Sequence, residues 1–490
     1  MPKKQFLTEP KKRSKHAPQT PSTADEYLAA GVDFEDAGEK WRGGDAVKST
    51  RFFVRAMDCY GEALKKFPTS FDLAHNKARL QYELTQHPKL LAQLPGSLLD
   101  LLQTALESSR NALSLKQDNP DVLFNTAQVL TSIVEAISDS RGISIDPLPL
   151  LEESLELFQR CLTLQEFQHT ESLTQEESLS QEFPDSDNEN GGVSIQDATS
   201  TSSEPPQDDR WATVLEPITN DTLLDTLLAQ LETLTTLCGL INADSGRGLA
   251  WIEEYASSLL TTKLPAYLSG TDRNPEAGLT RANFMAAAAE ANFRFQRIDV
   301  ATYSRAIDEA YSPLDLQDNP EGLANKAEAF ISYNSSLRLY HYPEEEGMKK
   351  VLQSRWQALT TALNALTAAS KLPSADNLPK IHLARGDTEL SRFQLGQPPN
   401  NLESAAKNGS VLVRNAEKFY RGAKALAASA GAAKEGEEAE IKESLAVALA
   451  GDAQRLKEAI KLLQSTKAVL EDAIDDGLVS VEQLVGMGIT

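Results

Sequence analysis

The stretch AMDCYGEALKKFP, residues 56–68, sets Ala56, Tyr60 and Ala63 on one face of a helix, because positions three and four apart lie side by side on its surface. Two small side chains seven positions apart let a neighbouring helix come close. The tyrosine between them fills the remaining gap, and Pro68 cannot continue the helix. Upstream, Phe34, Ala37, Gly38 and Trp41 supply a preceding helix, joined to this one by a turn at Gly43-Gly44 and a few extra residues. From Thr23 onward the apolar residues keep helical spacing, with almost none of the period-two alternation of strands, so the fold class is all-α.

The same arrangement recurs along the chain. FDLAHNKARLQYEL at 71–84 carries Asn76 and Ala78, and NPDVLFNTAQVL carries Asn125 and Ala127 at equivalent positions. NPEGLANKAEAF at 319–330 repeats them as Asn325 and Ala327. Ala105, Ser109 and Ala112 form one partner face, after an insertion around Pro88 to Pro95; Ser154, Phe158 and Cys161 form the next. Ala416, Tyr420 and Ala423 reproduce the small, aromatic, small face near the far end. With its Asn-x-Ala recurrence the chain resembles a tetratricopeptide (TPR) repeat protein over most of Thr23 to Ala427. The resemblance implies a right-handed superhelix of about six helix pairs in two blocks, each pair burying its neighbour's apolar face. Less regular helices are expected over 222–241, 249–268, 279–310, 356–369 and 381–393, and an amphipathic stretch over 437–476 is expected to cap the stack.

Two segments break the pattern. Residues 1–22 hold Lys3, Lys4, Lys11, Lys12, Arg13 and Lys15 against Glu9, with four prolines, and read as a disordered basic tail and an import signal. Residues 166–209 contain twelve acids and no Lys or Arg, and read as a disordered acidic loop. Within it, Asp185, Asp187 and Glu189 have calcium-loop spacing, but Asn190 and Gln196 stand where such a loop needs glycine and glutamate. The expected organisation is therefore a tail at 1–22, a first repeat block at 23–165, the loop at 166–209, a second block at 210–427 and capping helices at 428–490.

Across 490 residues, 71 acids against 48 Lys and Arg leave a net charge of −23, which argues against a surface built to grip nucleic acid or anionic lipid and favours basic protein partners. No run of about 18 apolar residues marks a membrane span. Cys59, Cys161 and Cys238 are odd in number and far apart, which suits a reducing compartment; cytoplasm and nucleus are the expected locations. Cys59 and Cys161 fall on expected core faces, and the six histidines lack metal-site spacing. No phosphate loop, nucleophile elbow or zinc-protease helix is present, so neither enzymatic activity nor a cofactor is expected.

Some TPR co-chaperones of Hsp70 and Hsp90 grip a C-terminal carboxylate through Lys and Asn on the first helices of three repeats. At the matching positions this chain has Glu35 and Glu39, then Asn76, then Asp121 and Asn125. Of the five only Asn76 matches, and three acids replace cations or an amide, which makes an Hsp90 or Hsp70 co-chaperone a minor alternative. The five residues together mark an expected partner groove that selects Lys/Arg-rich segments. The function expected is a protein-binding scaffold that escorts a basic client, such as a ribosomal protein or histone in ribosome biogenesis or nuclear assembly. The main alternative is a scaffold subunit of a larger complex.

Overall fold

The computed structural model describes residues 21–138, 145–182, 218–241, 248–340, 345–463 and 465–489, and every regular element among them is helical. The expected basic tail lies outside these residues except for its last two positions, as do the calcium-like segment and residues 183–209 of the acidic loop. The chain divides into two compact units, 1–217 and 218–490. Among the described residues no helix is long and apolar enough to cross a membrane.

The first unit contains α1 (Ala24–Arg42), α2 (Ala46–Lys66), α3 (Phe71–Thr85), α4 (Pro88–Leu91), α5 (Leu98–Leu115), α6 (Pro120–Ser138) and α7 (Leu148–Glu182). Local chemistry sets its starts. Thr23 and Glu26 form a reciprocal cap on α1, Ser97 and Asp100 do the same for α5, and Asp45 accepts the Lys48 N–H to begin α2. The helices pair as α1 with α2, α3 with α5 and α6 with α7. Each second helix then packs on the next first helix, and the first helices touch in sequence, which is the contact order of a helical-repeat stack. The short α4 occupies the insertion expected between Pro88 and Pro95.

The expected faces meet at these contacts. Ala56, Tyr60, Ala63, Ala105, Ala112, Ala127 and Cys161 are fully buried, and Ser109, Ser154 and Phe158 nearly so. Cys59 is only half-buried, its thiol directed at the Tyr27 carbonyl 3.5 Å away. The Tyr60 ring lies where a side chain at Gly31 would be: a Cβ there would stand 2.1 Å from the ring. Phe53 fills the equivalent place at Gly38.

One boundary differs from expectation. Helix α7 runs through Glu182, past Glu166, where the acidic loop was expected to begin. Gln165 is the last buried residue before 175, and Phe167 is 65% exposed, so tertiary burial contributes little over 166–174. The Glu, Gln and Leu content of the extension favours the helix, because these straight-chain residues lose little freedom in it.

The second unit begins with α8 (Asn220–Leu240), α9 (Leu249–Ser258), a π-helical turn (Leu259–Lys263) and α10 (Leu264–Tyr267). Pro265 has no N–H to give the preceding turn, and the wider turn beside it absorbs that break. Then follow α11 (Asn274–Arg294), α12 (Val300–Tyr311), α13 (Pro320–Leu339), α14 (Glu345–Ala369), α15 (Leu378–Gln394) and α16 (Glu403–Ala430). The stack continues through α17 (Ala433–Leu449), α18 (Gln454–Leu462), α19 (Thr466–Asp475) and α20 (Val481–Gly486). Helix α16 crosses the boundary expected at 427, and α17 packs on both α15 and α16. Ala416, Tyr420 and Ala423 are fully buried, and Ala327 with them. A Cβ at Gly386 would stand 2.3 Å from the Tyr420 ring, the same wedge as Tyr60 on Gly31.

The wedge separates two glycines by sign. Gly31→Ala forces a buried ring to move and should cost about 1–3 kcal/mol. Gly61, in α2 with open space at its Cβ position, should gain up to ~1 kcal/mol as Gly61→Ala. Thermal unfolding of both variants checks the opposed shifts.

Candidate partner-binding grooves

In the first unit the five expected groove residues lie on first helices: Glu35 and Glu39 on α1, Asn76 on α3, Asp121 and Asn125 on α6. Glu35 is not a free charge. The Tyr60 hydroxyl donates to it at 2.6 Å, and the Arg79 guanidinium pairs with it from α3. Glu39 pairs with Arg42 at 2.8 Å, and Glu83 receives both Arg42 and, at 2.9 Å, Arg79. The result is an alternating chain, Glu39, Arg42, Glu83, Arg79, Glu35, that ties α1 to α3. Asn76 faces the same tyrosine hydroxyl, whose ionisation is pushed up first by burial and then by Glu35. Asp121 is exposed and Asn125 half-buried. Asp121 stands near His75, which stacks on Phe71 with ring centres 5.5 Å apart and whose pKa burial lowers despite that carboxylate.

The expectation of three open acids acting together is thus corrected for two of them, since Glu35 and Glu39 are neutralised within the chain. Sequence reasoning missed Arg42 and Arg79. The signal was present as helical spacing: Arg42 follows Glu39 by three, and Glu83 follows Arg79 by four. The link from Arg79 back to Glu35 spans 44 positions and has no local signature.

The second unit repeats the tyrosine device and then departs from it. Tyr420 donates to Asp387 at 2.8 Å, and the buried Lys442 of α17 reaches Asp387 at 3.0 Å and Glu438 at 2.8 Å. Burial works against the Lys442 charge, but the two carboxylates hold the ammonium protonated. Arg294 donates to the Ile241 carbonyl at 2.9 Å and also reaches the Cys238 carbonyl, placing a cation at the C-terminal end of α8. The Cys238 thiol is pushed up to about 12 by burial.

Two cavities open on either side of α13. One, of about 320 Å³, is lined from α8, α11, α12 and α13, with Asn283, Glu290, Tyr311 and Asn325 at its walls. The other, of about 570 Å³, lies between α13, the end of α14 and α15, and includes Glu321, Asp376 and Lys380. Glu328 lines both. Around them the acids differ in how they are satisfied. Glu290 accepts from the Ser336 hydroxyl at 3.1 Å and lies 3.8 Å from Arg294. Glu328 makes no hydrogen bond or ion pair among the described residues. Its pKa is raised, first by the surrounding protein and then by the Asp476, Glu290 and Asp387 charges. Among the described residues no group of three or more His, Cys, Asp or Glu is placed to hold a metal ion.

No family model matches the chain. The UPF0656 protein C926.02 of Schizosaccharomyces pombe is 29% identical over 160 residues, which is 33% of this chain and 35% of that protein. The chain thus spans about a third of the length of this curated relative. Among solved structures, the S. pombe nuclear import adaptor Nro1 aligns with 81% of this chain and 95% of its own, at 10% identity and a TM-score of 0.31. A second structure of Nro1, described as a hypoxic regulator of sterol synthesis that is a nuclear import adaptor, aligns with 81% and 89% at a TM-score of 0.29. The helical-repeat assignment rests on the packing described above.

A carboxyl whose pKa is higher folded than unfolded binds more protons in the native state, so stability falls as pH rises above its ordinary value. For Glu328 that value is 4.5. Glu328→Gln should therefore raise the melting temperature at neutral pH, with the gain shrinking as pH falls toward 4.5. Melting curves of variant and parent across that range check the sign.

Proposed function

We propose that the protein is a non-enzymatic, protein-binding helical scaffold that escorts a Lys/Arg-rich client, of the kind represented by ribosomal proteins and histones, between cytoplasm and nucleus. The observation that carries this reading is the lining of the α13 cavities: Glu290, Glu321, Glu328 and Asp376 against the single cation Lys380. Carboxylates that repel one another on an inward face cost stability, and a cationic partner relieves that repulsion. The overall charge of −23 extends the same preference to longer range. The first unit supports the reading less, because Arg42 and Arg79 already pair with Glu35, Glu39 and Glu83 and leave Asp121 as the open acid among the expected groove residues. The altered clamp positions give no support to a carboxylate-gripping co-chaperone.

A second reading, a scaffold subunit of a larger complex, is favoured by a different place. A groove of about 740 Å³ between α16, α17 and α18 combines Ala425, Ala428, Ala459 and Leu463 with charged residues of both signs, Arg421, Lys424 and Arg455 against Glu440, Glu443 and Glu458, and Leu462 in its lining is 80% exposed. The exposed leucine and the alanines suit an apolar anchor on a partner with little net charge, which salt does not displace.

Affinity purification of the tagged full chain followed by a salt series separates the two readings. An escort should release a basic client as ionic strength rises, because exposed charge pairs are screened within about 8–10 Å. Retention of a neutral partner through high salt would favour the scaffold subunit instead. The tail gives an independent test of location. Replacing Lys11, Lys12 and Arg13 with alanine should shift the protein toward the cytoplasm, and an unchanged distribution by imaging would remove the tail from the import reading.

A further inference from the structure

We propose that Glu328, which lines both cavities flanking α13, is the anchor for one Lys or Arg side chain of the client. This rests on the basic-client reading and assigns it a place. The geometry supplies three elements that such a side chain needs. The first is an acceptor: Glu328 has no internal partner among the described residues and lines both cavities, whereas Glu321 and Asp376 line only one, and Glu290 is held by Ser336, Asp387 by Tyr420 and Lys442, and Glu438 by Lys442. The second is an apolar bed for the aliphatic stem. Ala286, Ala287 and Ala329 border one cavity, and Ala324, Ala375 and Ala384 the other. Lys and Arg side chains characteristically lay their methylenes on apolar surface and keep the charged head in polar surroundings.

The third element is selectivity. Glu328 is exposed to solvent and lines both cavities. An incoming cation there meets an acceptor that no in-chain cation pairs with among the described residues. Lys380 lines only the cavity toward α15, so a segment entering between α11 and α13 avoids it. An acidic or neutral segment would leave Glu328 unpaired and add like charge near Glu290, which disfavours it. The contrast with the first unit is physical: there, Arg79 occupies the position toward Glu35 that a client cation takes here toward Glu328.

The test measures binding of a fluorescein-labelled dodecapeptide of alternating Ala and Arg to the full chain by anisotropy, with an Ala and Gln peptide as the neutral probe. Glu328→Gln should weaken the Ala-Arg peptide roughly ten-fold or more, since a charge-assisted hydrogen bond is lost. Glu328→Lys should weaken it further. Glu346→Gln, at an acid 83% exposed elsewhere in the same unit, should leave it within roughly two-fold, as expected of a screened surface charge. Melting curves confirm that each variant remains folded. Equal, small losses for Glu328→Gln and Glu346→Gln would overturn the anchor while leaving the basic-client reading intact, because the attraction would then be diffuse. Failure of the parent protein to prefer the Ala-Arg over the Ala-Gln peptide would overturn the basic-client reading, and the anchor with it.

Discussion

A tyrosine ring seated on a glycine is the contact on which both units depend. Tyr60 lies over Gly31 and Tyr420 over Gly386, each closer than any side chain at the glycine would allow. The small residues on either side of each ring, Ala56 and Ala63, then Ala416 and Ala423, bring the paired helices near enough for that fit. A buried phenol also needs a hydrogen-bond acceptor, or its hydroxyl is left unsatisfied at a cost of about 1–3 kcal/mol. Glu35 answers that need in one unit and Asp387 in the other. The acceptor is an acid in both cases, so each requires a cation in turn. Arg79 and Lys442 supply it from the following first helix, and the packing wedge thereby becomes a tie between successive repeats.

This chain of requirements explains why acids at equivalent-looking positions play different parts. An acid drawn into the tyrosine tie is consumed by the structure and offers little to a partner. Glu35 and Asp387 are of that kind, and Glu39 joins them through Arg42. Glu328 sits on a first helix, α13, but outside any tie, between two cavities that the spacing of α11, α13 and α15 leaves open. Its charge pushes up the ionisation of Tyr311, after burial, and adds to a field shared with Glu290, Asp387 and Asp476. Unrelieved repulsion of this sort is a stability cost of the type that accompanies binding surfaces.

The elements themselves were legible because their determinants are local. Helical spacing, the proline stop at Pro68 and the small, aromatic, small faces are properties of short windows, and the faces they mark are buried. The extension of α7 past Glu166 was misread because acidic composition was weighed as a barrier to burial, when propensity alone suffices to keep a helix. The wedge was half visible: Tyr60 stood out in the sequence, but Gly31, its seat, did not, since Gly38 and Trp41 fit the repeat pattern more closely. Gly386 and Tyr420 are likewise paired only by packing across two helices.

By itself, then, the sequence determined an all-helical chain, the repeat units and the faces on which they pack, because these follow from spacing within one or two turns of a helix. Tertiary structure alone decided which acids are available. Whether a carboxylate is paired depends on cations tens of positions away, as between Glu35 and Arg79, and on cavities formed by helices that are not neighbours in sequence. Glu328 therefore shows nothing unusual within the stretch NPEGLANKAEAF. It becomes distinct only when α11 and α15 pack on either side of α13, with Lys380 in one of the two cavities and no ion pair to Glu328 among the described residues.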